Sequence, residues 1–170
     1  MLGLQRGTVQ LAPYAEQWPQ LFAAEQTFIR AALNQLVLDI QHVGSTAVPG
    51  LCAKPILDIA VAVRSLADVA ACVAPLAQLG YAYLGDKRST GGHFFAKGAD
   101  SNRTHYLHFV AHDNPQWTDF LRFRDRMRAD PAARDEYARL KQRLAARFAA
   151  DRASYTQQKE AFVRRILAET

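Results

Sequence analysis

The chain is short of cysteine, of long apolar runs and of low-complexity stretches, and each shortage excludes something. Its two cysteines, Cys52 and Cys72, sit in apolar surroundings without CxxC spacing. They do not read as a disulfide framework or a metal knuckle, but as two free thiols in a reducing cytoplasm. The apolar runs are broken. Leu57–Val63 contains Asp58, and Asp68 and Gln78 interrupt the alanine-rich stretch that follows. Neither run can span a bilayer, so no membrane partner is expected. Residues 1–13 have no apolar h-region, and no secretory signal is expected. No internal repeat or flexible linker divides the chain.

What is present is ordinary globular material. Of 170 residues, 49% are hydrophobic and 22% charged, which suits one domain over residues 1–170 with a core of its own. The net charge of +5 and the pI near 9.5 would suit nucleic acid. The excess, however, lies between Arg122 and Arg165, where basic residues alternate with acidic ones. That pattern belongs to solvated helix faces. No C₂H₂ or aromatic–basic RNA pattern accompanies it, so nucleic acid is not the expected partner.

Hydrophobic spacing predicts the elements. Val9–Tyr14 reads as a short extended segment. Trp18, Leu21, Phe22, Phe28, Ile29 and Leu33 give one helical stripe. Val37–Val43 and Leu57–Val63 read as strands, separated by an irregular stretch with Pro49-Gly50 and Pro55. Ser65 with Asp68 resembles a capping box, Gly80 a helix stop, and Pro75 predicts a kink or break between them. Tyr81–Leu84, His93–Lys97 and Thr104–Val110 read as an antiparallel meander. Asn114-Pro115 and Asp130-Pro131 place cap residues before N1 prolines, opening helices at Gln116–Ala129 and Ala132–Ala150. Ser154 with Gln157 opens the last helix, toward Leu167. Trp18, Trp117, Phe120, Phe123 and Phe162 read as core. The plan is α+β: a mixed or antiparallel sheet packed with helices, and a helical C-terminal third.

The chemistry concentrates in two adjacent stretches, HVGSTAVPG from His42 to Gly50 and KPILD from Lys54 to Asp58. Gly44 follows a strand and lacks a Cβ, so backbone can approach a ligand. Ser45 and Thr46 add hydroxyls and N–H groups, a workable phosphate cradle. Lys54 can add a charge. Strand alternation puts Leu57, Ile59, Val61 and Val63 on one face and Asp58, Ala60 and Ala62 on the other. A carboxylate there, beside a Gly-Ser turn, suits a metal–phosphate centre. A tight surface turn and a solvated Asp explain the same letters.

Those stretches, with RTHYLHFV (Arg103–Val110), FRDRMRADP (Phe123–Pro131) and YTQQK (Tyr155–Lys159), resemble the successive motifs of the GrpB family over about Val9 to Leu167. The resemblance implies a nucleotidyltransferase-like fold of the polymerase-β type, with a Gly-Ser turn followed by a DxD carboxylate pair. Related domains occur fused to dephospho-coenzyme-A kinases, which implies a nucleotide or coenzyme context. A DxD pair can grip two Mg²⁺ ions about 3.5–4 Å apart. Here Ala60 occupies the second position, so at most one divalent ion, Mg²⁺ on Asp58, is expected.

The histidines complete the candidate site. His105 and His108 fall on opposite faces of one strand. His105 shares parity with the more apolar Leu107 and Phe109. His108 is therefore the expected cleft residue, as base or ligand, with His105 near the strand's start where it could reach a loop. His42 ends the first strand beside Gly44, and a His42, Asp58 and His108 cluster would suit a metal-dependent phosphoester hydrolase. Hydrogen-bonded structural histidines are the alternative, and the expected state of His93 and His112. Arg103 and Lys97 flank the same hairpin and can bind anionic oxygens, or simply serve as surface charge. Lys159 matches the last motif, although an exposed helical lysine is the ordinary expectation. The resulting expectation is a protein binding a nucleotide or other phosphate-bearing small molecule, with nucleotidyl transfer as one outcome. The rivals are a ligand-binding module without turnover and the hydrolase.

Overall fold

A computed structural model describes residues 2–87 and 92–169. Helix α1 (Trp18–Leu33) leads into strand β1 (Asp39–Val43), a 3₁₀ turn (Ser45–Ala47) and β2 (Leu57–Val63). Helix α2 (Val69–Gln78) and strands β3 (Tyr81–Lys87), β4 (Gly92–Lys97) and β5 (His105–Ala111) follow. Helices α3 (Pro115–Ala129), α4 (Pro131–Arg147) and α5 (Arg152–Ala168) come last. The strands form one sheet in the order β1-β2-β5-β4-β3. Among the described strands only β2 and β5 pair in parallel; the other pairs are antiparallel. The mixed α+β plan and the β3–β4–β5 meander are those the sequence predicts. No described helix is long and apolar enough to cross a membrane.

Local signals set most boundaries. Asn114 accepts a hydrogen bond from the Gln116 N–H at 2.9 Å, and Asp130 from the Ala133 N–H at 3.0 Å. Each cap precedes a proline whose missing N–H would have been orphaned anyway. Ser65 and Asp68 make both bonds of a capping box, each at 3.2 Å, and open a 3₁₀ turn that runs into α2. Several boundaries differ from the sequence reading: β1 begins at Asp39 and β3 runs to Lys87, and three helices differ as follows. Helix α2 continues past Pro75 to Gln78. Helix α4 stops at Arg147 rather than Ala150. Helix α5 is capped by Asp151, which accepts from the N–H of Ser154 at 3.0 Å and from its hydroxyl at 2.6 Å. Ser154 thus lies in the first turn, because a carboxylate three residues earlier outcompetes its own hydroxyl as cap.

The two faces of the sheet carry different layers. Leu57, Ile59, Val61 and Val63 of β2, with Leu107 and Phe109 of β5, pack against Trp18, Ile29, Leu33 and Leu76 of α1 and α2. Each such side chain, once buried, contributes about 1.5–3 kcal/mol. On the opposite face Ala60, Ala62 and Val110 lie beneath Trp117 of α3. Helices α3 to α5 share a further cluster with the connection after β1, built on Val48, Leu51, Met127, Tyr137, Phe162 and Ile166. That cluster holds the three helices over the sheet without covering the Asp58 end of β2, where a cleft opens.

Candidate functional site

The Gly-Ser turn is fixed by two requirements at Gly44. Its φ is +68°, the left-handed region that disfavours other residues. A Cβ there would stand 2.8 Å from Asp58 Oδ2 and 3.0 Å from Asp58 Cβ. Glycine therefore lets the turn sit directly on the carboxylate. The N–H groups of Ala47 and Val48 bond to the carbonyls of Gly44 and Ser45 at 3.3 and 3.2 Å. Those of Ser45 and Thr46 come before that ladder begins. Helix α3 grips the turn from outside. Arg124 donates to the carbonyl of His42 at 3.1 Å and to Gln41 Oε1 at 2.9 Å, and Arg128 donates to the carbonyl of Ala47 at 2.9 Å. The FRDRMRADP stretch is thus a clamp on the backbone around the Gly-Ser turn.

Asp58 and His108 emerge together on the face that strand parity predicts. In the parallel register Ala60 lies opposite His108, and Asp58 opposite Tyr106. His108 Nε2 stands 3.0 Å from Asp58 Oδ1. An ionised carboxylate only accepts, so Nε2 carries the proton and Nδ1 is left as the basic nitrogen of the neutral ring. The pair lines a cavity of about 200 Å³ that also takes in Ser45, Lys54, Lys141 and Arg152.

Helix α5 supplies much of the cavity's far wall. Arg152, Tyr155, Thr156 and Lys159 line it, and their spacing of i, i+3, i+4 and i+7 is one helix face. The buried Tyr155 ring lies between two lysines, with Lys54 Nζ 5.8 Å and Lys159 Nζ 4.5 Å from its centre. Arg152 donates to the Tyr106 hydroxyl at 2.8 Å, and its guanidinium lies 4.8 Å from that ring's centre. From α4 the fully buried Lys141 donates to Ser45 Oγ at 3.0 Å and to the carbonyl of Cys52.

These cations crowd one another. Burial, then Arg152 and Lys159, bring the Lys54 pKa down to about 7 despite Asp58. Burial, with Lys159 and Lys54, brings Lys141 to about 7. Lys159 falls to about 8 through burial and Arg152, again against the pull of Asp58. Desolvation pushes the Asp58 carboxyl up, but the His108 hydrogen bond, Lys54 and Arg152 together overcome it, and the net shift is downward. Asp58 is the one carboxylate among the cavity's lining residues.

Five residues expected to bind substrate or its anionic oxygens are placed elsewhere or are otherwise engaged. His42 shares a face with Ile40, under α1, because it lies opposite Ile59 in the antiparallel register. Its ring stacks on Phe22 at 4.8 Å, its Nε2 lies 3.0 Å from Thr46 Oγ1, and burial brings its pKa to about 4. Thr46 lines the cavity, with one hydrogen-bonding position of its hydroxyl already engaged by His42. His105 sits on the Leu107 and Phe109 face, edge-on to Tyr81 at 6.4 Å and 2.9 Å from Thr104 Oγ1. Burial lowers it also to about 4. Arg103 is buried against the Gly98 carbonyl at 2.6 Å and against Asp100, outside the Asp58 cavity. Lys97 points to the α1 face, where it meets Glu25 at 2.8 and 2.9 Å. The His42, Asp58 and His108 cluster is therefore not assembled. Arg152 and Lys141 went unread in the sequence, and Tyr155 was noted only as the first residue of the YTQQK motif, although the polar stripe on the last helix was there to find.

The donor set does not fit a two-metal centre. Ala60, where a second carboxylate would stand, is fully buried under Trp117. Among the described residues no group of three or more His, Cys, Asp or Glu could hold a metal. A lone carboxylate already bonded to His108 and ringed by cations is a poor cage for two divalent ions.

Comparison with known proteins agrees with the fold and with the motifs. The chain is 39% identical over 173 residues to the glutamate-rich protein GrpB of Alkalihalophilus pseudofirmus, covering 99% of each. It is 43% identical over 162 residues to a UPF0157 protein of Pseudomonas aeruginosa, covering 94% of this chain and 66% of that one. The crystal structure of the conserved protein GrpB from Enterococcus faecalis superposes with a TM-score of 0.86 at 32% identity, over 94% of this chain and 96% of that one. The sequence model described as GrpB protein matches residues 8–169, and the chain belongs to the GrpB family.

Proposed function

We propose that the cleft binds the phosphate groups of a nucleotide or another phosphorylated small molecule. The observation that carries this reading is the charge imbalance. Lys54, Lys141, Arg152 and Lys159 line a cavity whose one lining carboxylate, Asp58, already accepts from His108. Cations crowded until their pKa values fall are relieved by a bound anion. Lys54, Arg152 and Lys159 would neutralise phosphate oxygens, and Ser45, oriented by Lys141, would donate its hydroxyl. A single Mg²⁺ would enter on the ligand's phosphates, with Asp58 as its protein carboxylate.

Acid–base turnover is a second reading, favoured by the 3.0 Å contact between Asp58 and His108. Asp58 would orient the ring and steady its protonated form, while Nδ1 takes a proton from the attacking group. Nucleotidyl transfer through two metals draws no support from Ala60.

The test is calorimetry and thermal shift with inorganic pyrophosphate and nucleotides, first in EDTA and then in Mg²⁺. Binding to the native state raises the melting temperature by mass action. Lys54→Met and Lys159→Met should each weaken pyrophosphate about tenfold or more. If neither pyrophosphate nor any nucleotide raises the melting temperature in either buffer, the reading fails. If binding appears only with Mg²⁺ and is lost in Asp58→Asn, the ion is part of the site.

A further inference from the structure

A second cavity, of about 370 Å³, adjoins the Asp58–His108 pair, lined by α3 and α5. The pair lines both cavities. The cationic one is smaller than the roughly 300–1,000 Å³ usual for small-molecule sites, whereas the second falls within that range. Its walls are mostly apolar and aromatic, with Phe120 and Phe123 from α3 and Val163 and Leu167 from α5. The Phe120 ring lies 5.5 Å from the His108 ring, so the aromatic lining reaches the junction itself.

Besides Asp58 and His108, two polar side chains line this pocket, Gln116 and Asp119, and each carries an acceptor oxygen. Gln116 Oε1 is buried without a hydrogen-bond partner. Asp119 has no ion-pair partner among the described residues. A buried acceptor left unpaired is destabilising, and a ligand donor that reaches it would satisfy it. A flat ring suits the aromatic walls. The chemistry called for is a planar ring carrying an amine, joined to an anionic group on the far side of Asp58 and His108.

We infer that this pocket holds the amine-bearing base of a nucleotide whose phosphates occupy the cationic cleft. The inference rests on the proposed phosphate site and adds to it the ligand's other end. It assigns Gln116 and Asp119 as specificity-determining residues. Cytosine offers an N4 amine where uracil offers an O4 acceptor, and adenine offers N6 where hypoxanthine offers O6. The acceptors of Gln116 and Asp119 meet a donor in the first member of each pair and a lone pair in the second.

The experiment is calorimetry in EDTA with inorganic triphosphate, CTP against UTP, ATP against ITP, and the free nucleosides cytidine and adenosine. At least one amine-bearing nucleotide should bind about tenfold or more tightly than its partner and than triphosphate, a difference of about 1.4 kcal/mol. Val163→Trp, which fills the pocket from α5, should bring that nucleotide down to triphosphate's affinity and leave triphosphate unchanged. Gln116→Leu should narrow the preference, and serves if the tryptophan variant does not fold. Equal affinity within both pairs, or a preference that survives in the variants, overturns the inference. Triphosphate failing to bind while a nucleoside still binds sinks the phosphate site and leaves the pocket standing. Failure of both probes sinks both.

Discussion

The two faces of the sheet each carry a charged cluster, and the clusters differ in their balance. Under α1, Glu25 accepts from Lys97 at 2.8 and 2.9 Å and from the Tyr81 hydroxyl at 2.8 Å. One carboxylate meets one ammonium, and the neighbouring His105 is kept neutral by burial. Under α5, four basic side chains share Asp58, which is itself engaged by His108. Both clusters are desolvated, and both contain the residue types of an active site. Among the described residues, the second lines a cavity and carries uncompensated charge. A balanced buried pair needs nothing further; an unbalanced one is stabilised by what it binds.

The largest way to break this contrast is Glu25→Ala. It strands Lys97 and removes the Tyr81 acceptor, and should lower unfolding free energy by about 2–4 kcal/mol in urea titrations. Pyrophosphate affinity should not change. A parallel loss of affinity would show that the two faces are coupled.

Gly44→Ala should affect both properties. The residue would be held at a positive φ with its Cβ against Asp58, at a stability loss of about 1–3 kcal/mol. Anion affinity should fall as well, because the carboxylate or the turn must move. Full affinity in a destabilised variant would detach the turn from the site.

Lys54→Met should separate binding from stability in the opposite sense. Without anion it relieves crowding with Arg152 and Lys159, so the melting temperature should stay level or rise slightly. Pyrophosphate affinity should fall about tenfold. A destabilised variant would assign Lys54 to the framework.

The last way to test the contrast is through pH slopes. Lys54 and Lys141 are held at about 7 and Lys159 at about 8 in the folded protein, against about 10.4 in an unfolded chain. Between those values the unfolded chain binds more protons. Stability without anion should therefore rise with pH from about 7 toward 10, and saturating pyrophosphate should flatten that slope. Anion affinity should run the other way, weakening as the lysines lose their protons through about 7 to 8. His42 and His105, both lowered to about 4, act at the acid end. The unfolded chain takes up their protons first, so stability should fall as pH drops from about 6.5 through 4. Denaturation midpoints across pH, with and without pyrophosphate, read all three trends.

Much of the site was legible because strand alternation is a local property. The apolar partners of Asp58 and His108 assign each residue a face, and both faces point to one cleft. His42 failed the same kind of reading. Only its register against Ile59 shows that it faces α1. Arg103 and Lys97 failed because a charge beside a hairpin reads identically whether it faces solvent, a carboxylate or a ligand. Their partners, Asp100 and Glu25, differ in place: one lies three residues back along the chain, the other on α1.

The sequence by itself determined the family, the α+β plan, the caps at Asn114 and Asp130, and the pairing of a Gly-Ser turn with Asp58. These rest on interactions among residues close along the chain, or on a side-chain period that one strand carries alone. Tertiary structure decided that Lys141, Arg152 and Lys159 line the cavity of Asp58, and that Gln116 and Asp119 line a pocket shared with Asp58 and His108. An amphipathic helix specifies which of its faces is polar, but not what that face meets. That depends on how α3, α4 and α5 pack over the sheet, through contacts between residues far apart in sequence whose desolvation and charge have no local signature.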